Sequence, residues 1–571
     1  MTLFRQNTSS SYKLTSDSLI KRYVSLVLWL YEIPIKDPYL ELLKRIFSLR
    51  DHSGWTWTVK YLKHSTVSLQ HVISGRGKVP IGDDSCRVGL RDSGIPCIIP
   101  GILRQYILMN DIRHIRAIFA ILTVFRCINI KGSLKLSTII KPFTGLSQTL
   151  NILELKEVLE NNFSSTGLSP SGVKTTFRLP LKPKGLETLL TLRTAGPNGK
   201  PSILYAPLDA FAFKAKPQMS HLLHAIQVLS KSFNSDIYDI LLKEMDIVSQ
   251  WRVSKSKLIL SKLSLKPEPA GKVRVFAILD VWSQSVLKPI HDHVFEILKT
   301  IPNDGCFDQV KPLQRLMMKG HKDVFSFDLS AATDRLPILL QTQVVSWLYG
   351  LDVALAWKTL LTDRDYWIST ANLAKYGVKS DIIIKESDRY EDGFYLRYAV
   401  GQPMGALSSW GVFSLTHHII IQYCARQVGF KSWFDDYALL GDDVVIANKS
   451  VADLYLYTMT KVLGVDINLS KSLISNNGTA EFAKQLVSGS VNYTPVGAKN
   501  IAQSLKNFAN FPSILRDYIL KGGVVDNADL QRLIGSLGYN ITKTSKKNLS
   551  SLLWVIMGPF GFLNTGENRF K

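Results

Sequence analysis

The sequence predicts an α+β protein of several lobes, and three observations carry that prediction. A length of 571 residues, at about 150 residues per domain, calls for three or four domains or one large multi-lobed enzyme. Short β-type runs cluster in the chain's second half, at Asp323 to Asp328 and again at Asp436 to Leu440 and Val444 to Ala447. Between and before them the apolar residues recur with helical spacing, as in Leu222 to Ile247.

Composition narrows the function classes. Apolar residues at 46% against 20% charged describe a chain that folds rather than a disordered one. Lys plus Arg number 69 against 46 for Asp plus Glu, a net charge of +23 that favours a polyanionic partner, either nucleic acid or an acidic membrane surface. The 5 cysteines are odd in number and lack a C-x-x-C pair, so neither a disulfide framework nor a zinc site is expected, and a reducing compartment is the default. The uncharged stretch from Tyr398 to Ala425 is long enough to cross a bilayer. Gln402, Ser408, Ser409, Thr416, His417 and His418 make it too polar for lipid, so it is expected as a helix buried in protein, with no integral membrane span. The Ser-rich, basic start through Tyr31 faintly resembles a transit peptide, a balance that ordinary basic helices share.

Taken in order, residues 1–161 are expected to form a helical extension with nothing catalytic in it. Pro180, Pro183, Gly185 and the turn Gly196-Pro197-Asn198-Gly199 then mark a boundary. From Arg252 to Arg274 basic residues crowd around a single acid, Glu268. Asp323 to Asp328 alternates as a strand that projects Asp328 opposite Phe325 and Phe327. A helix is expected to follow, with Asp334 near its start and Pro337 in its first turn. Gly441-Asp442-Asp443 joins two β runs as a hairpin. Adjacent carboxylates at such a tip repel each other, and a cation removes that penalty. If the hairpin lies beside the Asp328 strand, three carboxylates converge, an oxygen-only ligand set suited to Mg²⁺. Two such ions serve in-line phosphoryl transfer. The same tripeptide at Gly82-Asp83-Asp84 lacks flanking β runs and is expected as a plain polar turn. His417 and His418 have no ligand-spaced partner, so they are expected as core or interface histidines rather than metal ligands.

The order of these elements resembles a viral RNA-dependent RNA polymerase of the right-hand type. Asp328-x5-Asp334 resembles its motif A, Gly401-Gln-Pro-Met-Gly405-Ala-Leu-Ser-Ser409 motif B and Leu440-Gly-Asp-Asp443 motif C. The longer runs, Asp328 to Pro337, Gly401 to Trp410 with Thr416-His-His418, Gly271 to Val275, Asp304 to Gln309 and Glu481 to Lys484, resemble the mitoviruses, capsidless positive-strand RNA replicons of mitochondria. The resemblance implies a layout: fingers over 162–320, palm over 321–349 and 398–487 with a small antiparallel sheet and helices, a fingers insertion over 350–397, and a thumb over 488–571.

It also implies roles. Asp328, Asp442 and Asp443 would hold two Mg²⁺ ions, with Mn²⁺ as a substitute. Asp334 would select a ribose 2′-hydroxyl. Gly401 and Gly405 would admit template and nucleotide to the backbone. Lys266, Lys272 and Arg274 would neutralise the triphosphate, and Lys471 would protonate pyrophosphate. Where an Asn is often found, this chain has Phe413, so Ser408 or Ser409 is expected to partner Asp334. RNA template and product, ribonucleoside triphosphates and a host mitochondrion complete the expectation. Two rivals remain: a reverse transcriptase, against which Leu440-Gly441 and Asp334 argue, and a non-catalytic RNA-binding relic of an integrated viral gene.

Overall fold

Contacts divide the chain into two units: Met1–Gly132 with Glu268–Lys272 and Leu473–Lys571, and Ser133–Pro267 with Val273–Ser472. The computed structural model describes residues 13–79, 82–83, 86–170, 172, 174–248, 258–376, 389–507 and 510–523. Most of the expected thumb, the middle of the expected fingers insertion and residues 252–257 of the basic segment lie outside the described residues.

The first unit is mainly helical. Its helices Asp17–Leu30, Asp37–Ile73, Gly101–Leu108 and Ile112–Leu122 share a core with Ala498–Lys506. Two of them start on side-chain caps: Ser16 accepts from Leu19 N–H and Asp111 from His114 N–H, satisfying amides that a helix start leaves open. The core runs through Tyr23, Val27, Leu42, Leu62, Ile118 and Ile501, all fully or almost fully buried. Segments distant in sequence are tied within this unit: Val496 N–H donates to the Tyr31 hydroxyl at 2.8 Å, and Arg116 Nε to the Asn492 carbonyl at 2.8 Å. Gly82–Asp83 pairs antiparallel with Cys86–Arg87, so the first two residues of this second Gly-Asp-Asp lie on a short strand where a plain turn is expected, and Asp84 lies outside the described residues. Strands Thr479–Phe482 and Gln485–Ser488 meet through Ala483 and Lys484, both at positive φ, the backbone of a type I′ turn.

The second unit carries the expected catalytic segments. In chain order it contains β1 (Ser261–Pro267), β2 (Val273–Leu279), α1 (Val281–Thr300), β3 (Val324–Asp328), α2 (Ala332–Arg335), α3 (Ile338–Tyr349), α4 (Leu351–Thr362) and β4 (Tyr366–Ser369). There follow β5 (Arg389–Tyr390), β6 (Gly393–Leu396), α5 (Ser409–Gln427), β7 (Tyr437–Leu440), β8 (Asp443–Ile446) and α6 (Lys449–Tyr457). One sheet has the order β2-β1-β4-β6-β5. Its hairpin is anchored by a buried ion pair: Arg364 Nη2 lies 2.7 Å from Asp280 Oδ2 and also donates to the Leu260 carbonyl at 3.0 Å. Losing one partner of such a pair leaves an uncompensated buried charge, at about 3–5 kcal/mol.

In the other sheet β8 lies between β7 and β3, antiparallel to both. Two expectations need correction. Asp334 does not open the helix that follows β3; it lies in the separate one-turn α2, and Pro337 caps α3 from outside. The break falls at Leu336, which adopts extended backbone because the next residue is proline. The uncharged stretch from Tyr398 is likewise not one helix: α5 begins only at Ser409, after a loop. From there it is buried almost throughout, and among the described residues no helix is long and apolar enough to cross a membrane.

Candidate active site

The strand register decides where the acidic residues meet. β8 pairs with β3 so that Asp443 stands directly across from Asp328, with Val444 opposite Phe327. Cross-strand partners in an antiparallel pair have Cα atoms roughly 4.5–5.5 Å apart, so two carboxylates separated by more than a hundred residues of chain become neighbours. Asp442 follows at the tip, where Leu440 pairs with Asp443 across the two-residue loop Gly441-Asp442. Positive φ at Gly441 alone, +60°, is the type II′ pattern. Asp328 and Asp442 are exposed, whereas Val324 to Phe327 are buried. The strand therefore lies in the core on both faces and surfaces only at its carboxylate. Among the described residues no three His, Cys, Asp or Glu side chains stand close enough together to hold a metal ion. Backbone register, rather than a preformed ligand cage, is what brings these acids together.

The peptide of Asp328 is clipped on both sides. Its N–H donates to Ser472 Oγ at 3.0 Å, its carbonyl accepts from Asn468 N–H at 2.9 Å, and Ser472 Oγ donates back to the Asn468 carbonyl at 2.9 Å. Lys471 lies in the turn these bonds close, half-buried, its N–H donating to the Asn468 carbonyl at 3.0 Å.

Asp334 finds a partner that sequence reasoning missed. Its Oδ2 accepts from the Thr138 hydroxyl at 2.7 Å. Burial raises its pKa above the ordinary carboxylate value, and the Thr138 bond opposes that shift. Ser408 and Ser409 do not partner it. The Ser408 hydroxyl is fully buried, bonded to Trp357 Nε1 at 2.8 Å and to the Leu407 carbonyl. The carbonyl of buried Ser409 accepts from Gln402 Nε2 at 3.0 Å.

At each of the two motif B glycines the space a side chain would take is filled by the chain's own backbone. A Cβ on Gly401 would lie 2.3 Å from the Thr333 carbonyl oxygen, and one on Gly405, whose φ is +119°, 2.5 Å from that of Ala277. Gly401 N–H in turn donates to the Asp334 carbonyl at 3.0 Å. The glycines weld the motif B loop to α2 and β2.

His417 and His418 are both fully buried, and each makes two hydrogen bonds. His417 Nδ1 lies 2.7 Å from the Gly441 carbonyl and its Nε2 2.6 Å from the Tyr455 hydroxyl. A carbonyl only accepts, so Nδ1 carries the proton and Nε2 accepts from the tyrosine. Burial pushes this imidazole down to about 4, which keeps it neutral. Tyr455 stacks on Phe327, ring centroids 5.6 Å apart. A continuous path thus joins the residue before Asp328 to the residue before Asp442. His418 bonds to Asp304 Oδ2 at 3.0 Å and to the Tyr437 hydroxyl at 2.8 Å. The Asp304 segment runs beside β7, Gly305 N–H donating to the Leu439 carbonyl at 2.7 Å.

Of the basic residues, Lys266 and Arg274 stand directly opposite each other on β1 and β2. Lys272, exposed, lies in the connection between those strands and groups with the first unit.

The family described as mitovirus RNA-dependent RNA polymerase matches residues 183–553. The RNA-directed RNA polymerase of Cryphonectria parasitica mitovirus 1 is 32% identical over 484 residues, covering 81% of this chain and 54% of the relative, so the chain spans about half that protein's length. An uncharacterized mitochondrial protein of Arabidopsis thaliana is 34% identical over 212 residues, covering 36% of this chain and 77% of its own length. Among solved structures, the RNA-dependent RNA polymerase of a human picorbirnavirus aligns over 52% of this chain and 59% of its own, with a TM-score of 0.37 and 13% identity. On the family match and the identity to the viral relative, this chain belongs to the mitovirus RNA-dependent RNA polymerases.

Proposed function

We propose that this chain synthesises RNA on an RNA template from ribonucleoside triphosphates, replicating a positive-strand viral genome in the host mitochondrion. The observation that carries the reading is the register that sets Asp443 opposite Asp328, with Asp442 next to it at the hairpin tip. In this reading β7, β8 and β3 with α5 form the palm, and the β1–β2 hairpin belongs to the fingers.

The residues suit a divalent ion. An opposed carboxylate pair with a third acid beside it matches the one or two carboxylates through which Mg²⁺ binds, water and substrate phosphate supplying the rest. Such ions, when bound, activate a 3′-hydroxyl and steady the leaving pyrophosphate. Asp328, Asp442 and Asp443 would hold them. Lys266, Lys272 and Arg274 meet the triphosphate as charge-assisted donors, Lys266 and Arg274 standing opposite each other on the β1–β2 ladder. Lys471, in the turn that closes around Asp328, is the acid for the departing pyrophosphate. Asp334 accepts from the ribose 2′-hydroxyl, and a deoxynucleotide would leave that half-buried carboxylate without the bond.

The test is Mg²⁺-dependent primer extension by the purified chain beside Asp442→Asn. Synthesis should vanish in the variant and on chelation, while RNA affinity stays nearly unchanged. Equal synthesis by the variant would refute the assignment. An unmodified chain that binds RNA but makes none would favour the non-catalytic relic, and ready use of deoxynucleotides would favour a reverse transcriptase.

A further inference from the structure

We propose that Thr138 is a specificity-determining residue of this site, one that sets ribose selection by holding the Asp334 carboxylate in place; the proposal rests on the role given to Asp334 above. Thr138 lies in the one-turn helix Ser137–Ile140, far from the acidic motifs in sequence and in a stretch where no catalytic residue is expected. Three further hydrogen bonds fasten this stretch to the site. Arg335, next to Asp334 and buried, donates from Nη1 to the Lys141 carbonyl at 2.7 Å and from Nη2 to the Pro142 carbonyl at 2.9 Å. Ala399 N–H, just before the motif B loop, donates to the Ile139 carbonyl at 2.9 Å. The segment is thus bonded to α2 and to the approach to motif B together.

The chemistry follows from which oxygen is occupied. Thr138 donates to Oδ2, while Oδ1 receives no hydrogen bond among the described residues. A carboxylate fixed by one oxygen presents the other in a set direction, where it can accept from a hydroxyl donor such as the ribose 2′-OH. Without the Thr138 donor the carboxylate loses its orienting bond, and the difference between a ribo- and a deoxynucleotide shrinks. The motif B position where an Asn is often found cannot serve. Phe413 is buried there, edge-on to His417 with centroids 5.9 Å apart, as part of the apolar packing under the hairpin.

The experiment compares kcat/KM for a ribonucleotide and its deoxy analogue in the unmodified chain and in Thr138→Val, Thr138→Ser and Asp334→Ala. Thr138→Val is close to isosteric but lacks the donor, and Thr138→Ser keeps it. The ribo-to-deoxy ratio should fall roughly 10-fold in Thr138→Val, the worth of one hydrogen bond to a charged group. It should return close to the unmodified value in Thr138→Ser and fall furthest in Asp334→Ala. A Thr138→Val that loses both activities equally has only a structural role, and that result overturns the proposal. So does an unchanged ratio in Thr138→Val when Asp334→Ala has lost its selectivity. If Asp334→Ala keeps full selectivity, the reading of Asp334 itself fails, a result separate from either of these. Should Thr138→Val not fold, Thr138→Ala supplies the same comparison.

Discussion

Gly441 carries more of the site than its missing side chain suggests. It holds φ of +60° at the first position of the hairpin loop, where a side chain is strained, and an added Cβ would lie 2.0 Å from the Trp410 ring. The outer edge of a half-exposed indole can swing aside, so the larger cost of Gly441→Ala is the backbone. It should destabilise the chain by about 1–2 kcal/mol in thermal unfolding. Trp410→Ala should recover only the smaller, steric part of that loss in a double-mutant cycle, and full recovery would show that the backbone is unstrained. Synthesis should fall further than stability, since the change sits beside Asp442. Gly-Asp between two β runs was legible as a turn because hairpin chemistry is local. The packing at Gly401 and Gly405 was not, since the backbone that fills their space belongs to α2 and β2, distant in sequence. Thr138 escaped notice for the same reason: a hydroxyl gains meaning only from what the fold sets against it.

At the scale of elements, α5 and α6 act as a brace beneath the two acidic tips. α6 supplies Tyr455, α5 supplies His417, and between them they connect Phe327 on β3 to the carbonyl of Gly441. Replacing His417 by Leu removes the donor to that carbonyl. Replacing it by Asn keeps an N–H near the position of Nδ1. His417→Leu should therefore need a higher Mg²⁺ concentration for half-maximal synthesis and show weaker Mn²⁺ binding by electron paramagnetic resonance, with His417→Asn recovering much of both. Equal metal affinity in all three proteins would remove the brace from the argument.

The same imidazole makes stability depend on pH. It is held neutral down to about 4 in the fold, against an ordinary value of 6.5, with His418 on its own helix and Tyr455 opposite as its titratable neighbours. Between those values the unfolded chain binds the proton and the native chain does not. The stability is thus complete above pH 6.5 and drains away as pH falls toward 4, by an amount on the order of a few kcal/mol. Chemical denaturation from pH 7 to 4 should show that slope, and His417→Asn should flatten it. Of this arrangement, the strands and the burial of both histidines were legible from alternation and from the lack of ligand spacing. The division of Asp334 and Pro337 between two elements came from Leu336, whose conformation the proline behind it controls.

For the whole molecule the governing quantity is the net charge of +23. A chain that neutralises Z phosphates of single-stranded RNA loses affinity with a slope of about −0.7Z in log K against log salt, because each contact releases a counterion. RNA binding should therefore weaken steeply between 50 and 200 mM salt, roughly tenfold for every two to three phosphates contacted. Lys272→Ala, at an exposed position, should make the slope shallower by about one contact without changing sequence preference. Asp442→Asn should leave the slope as it is, since an acid at the hairpin tip releases no counterion from RNA. A non-catalytic relic would give the same salt curve, so affinity alone cannot separate it from a polymerase. The separation comes from measuring both on one preparation. If RNA binding keeps its salt slope in Asp442→Asn while synthesis disappears, the charge gathers the template and the opposed carboxylates do the chemistry. If synthesis and slope fall together, the hairpin acid supports the RNA-binding surface, and the division of labour between charge and register is wrong.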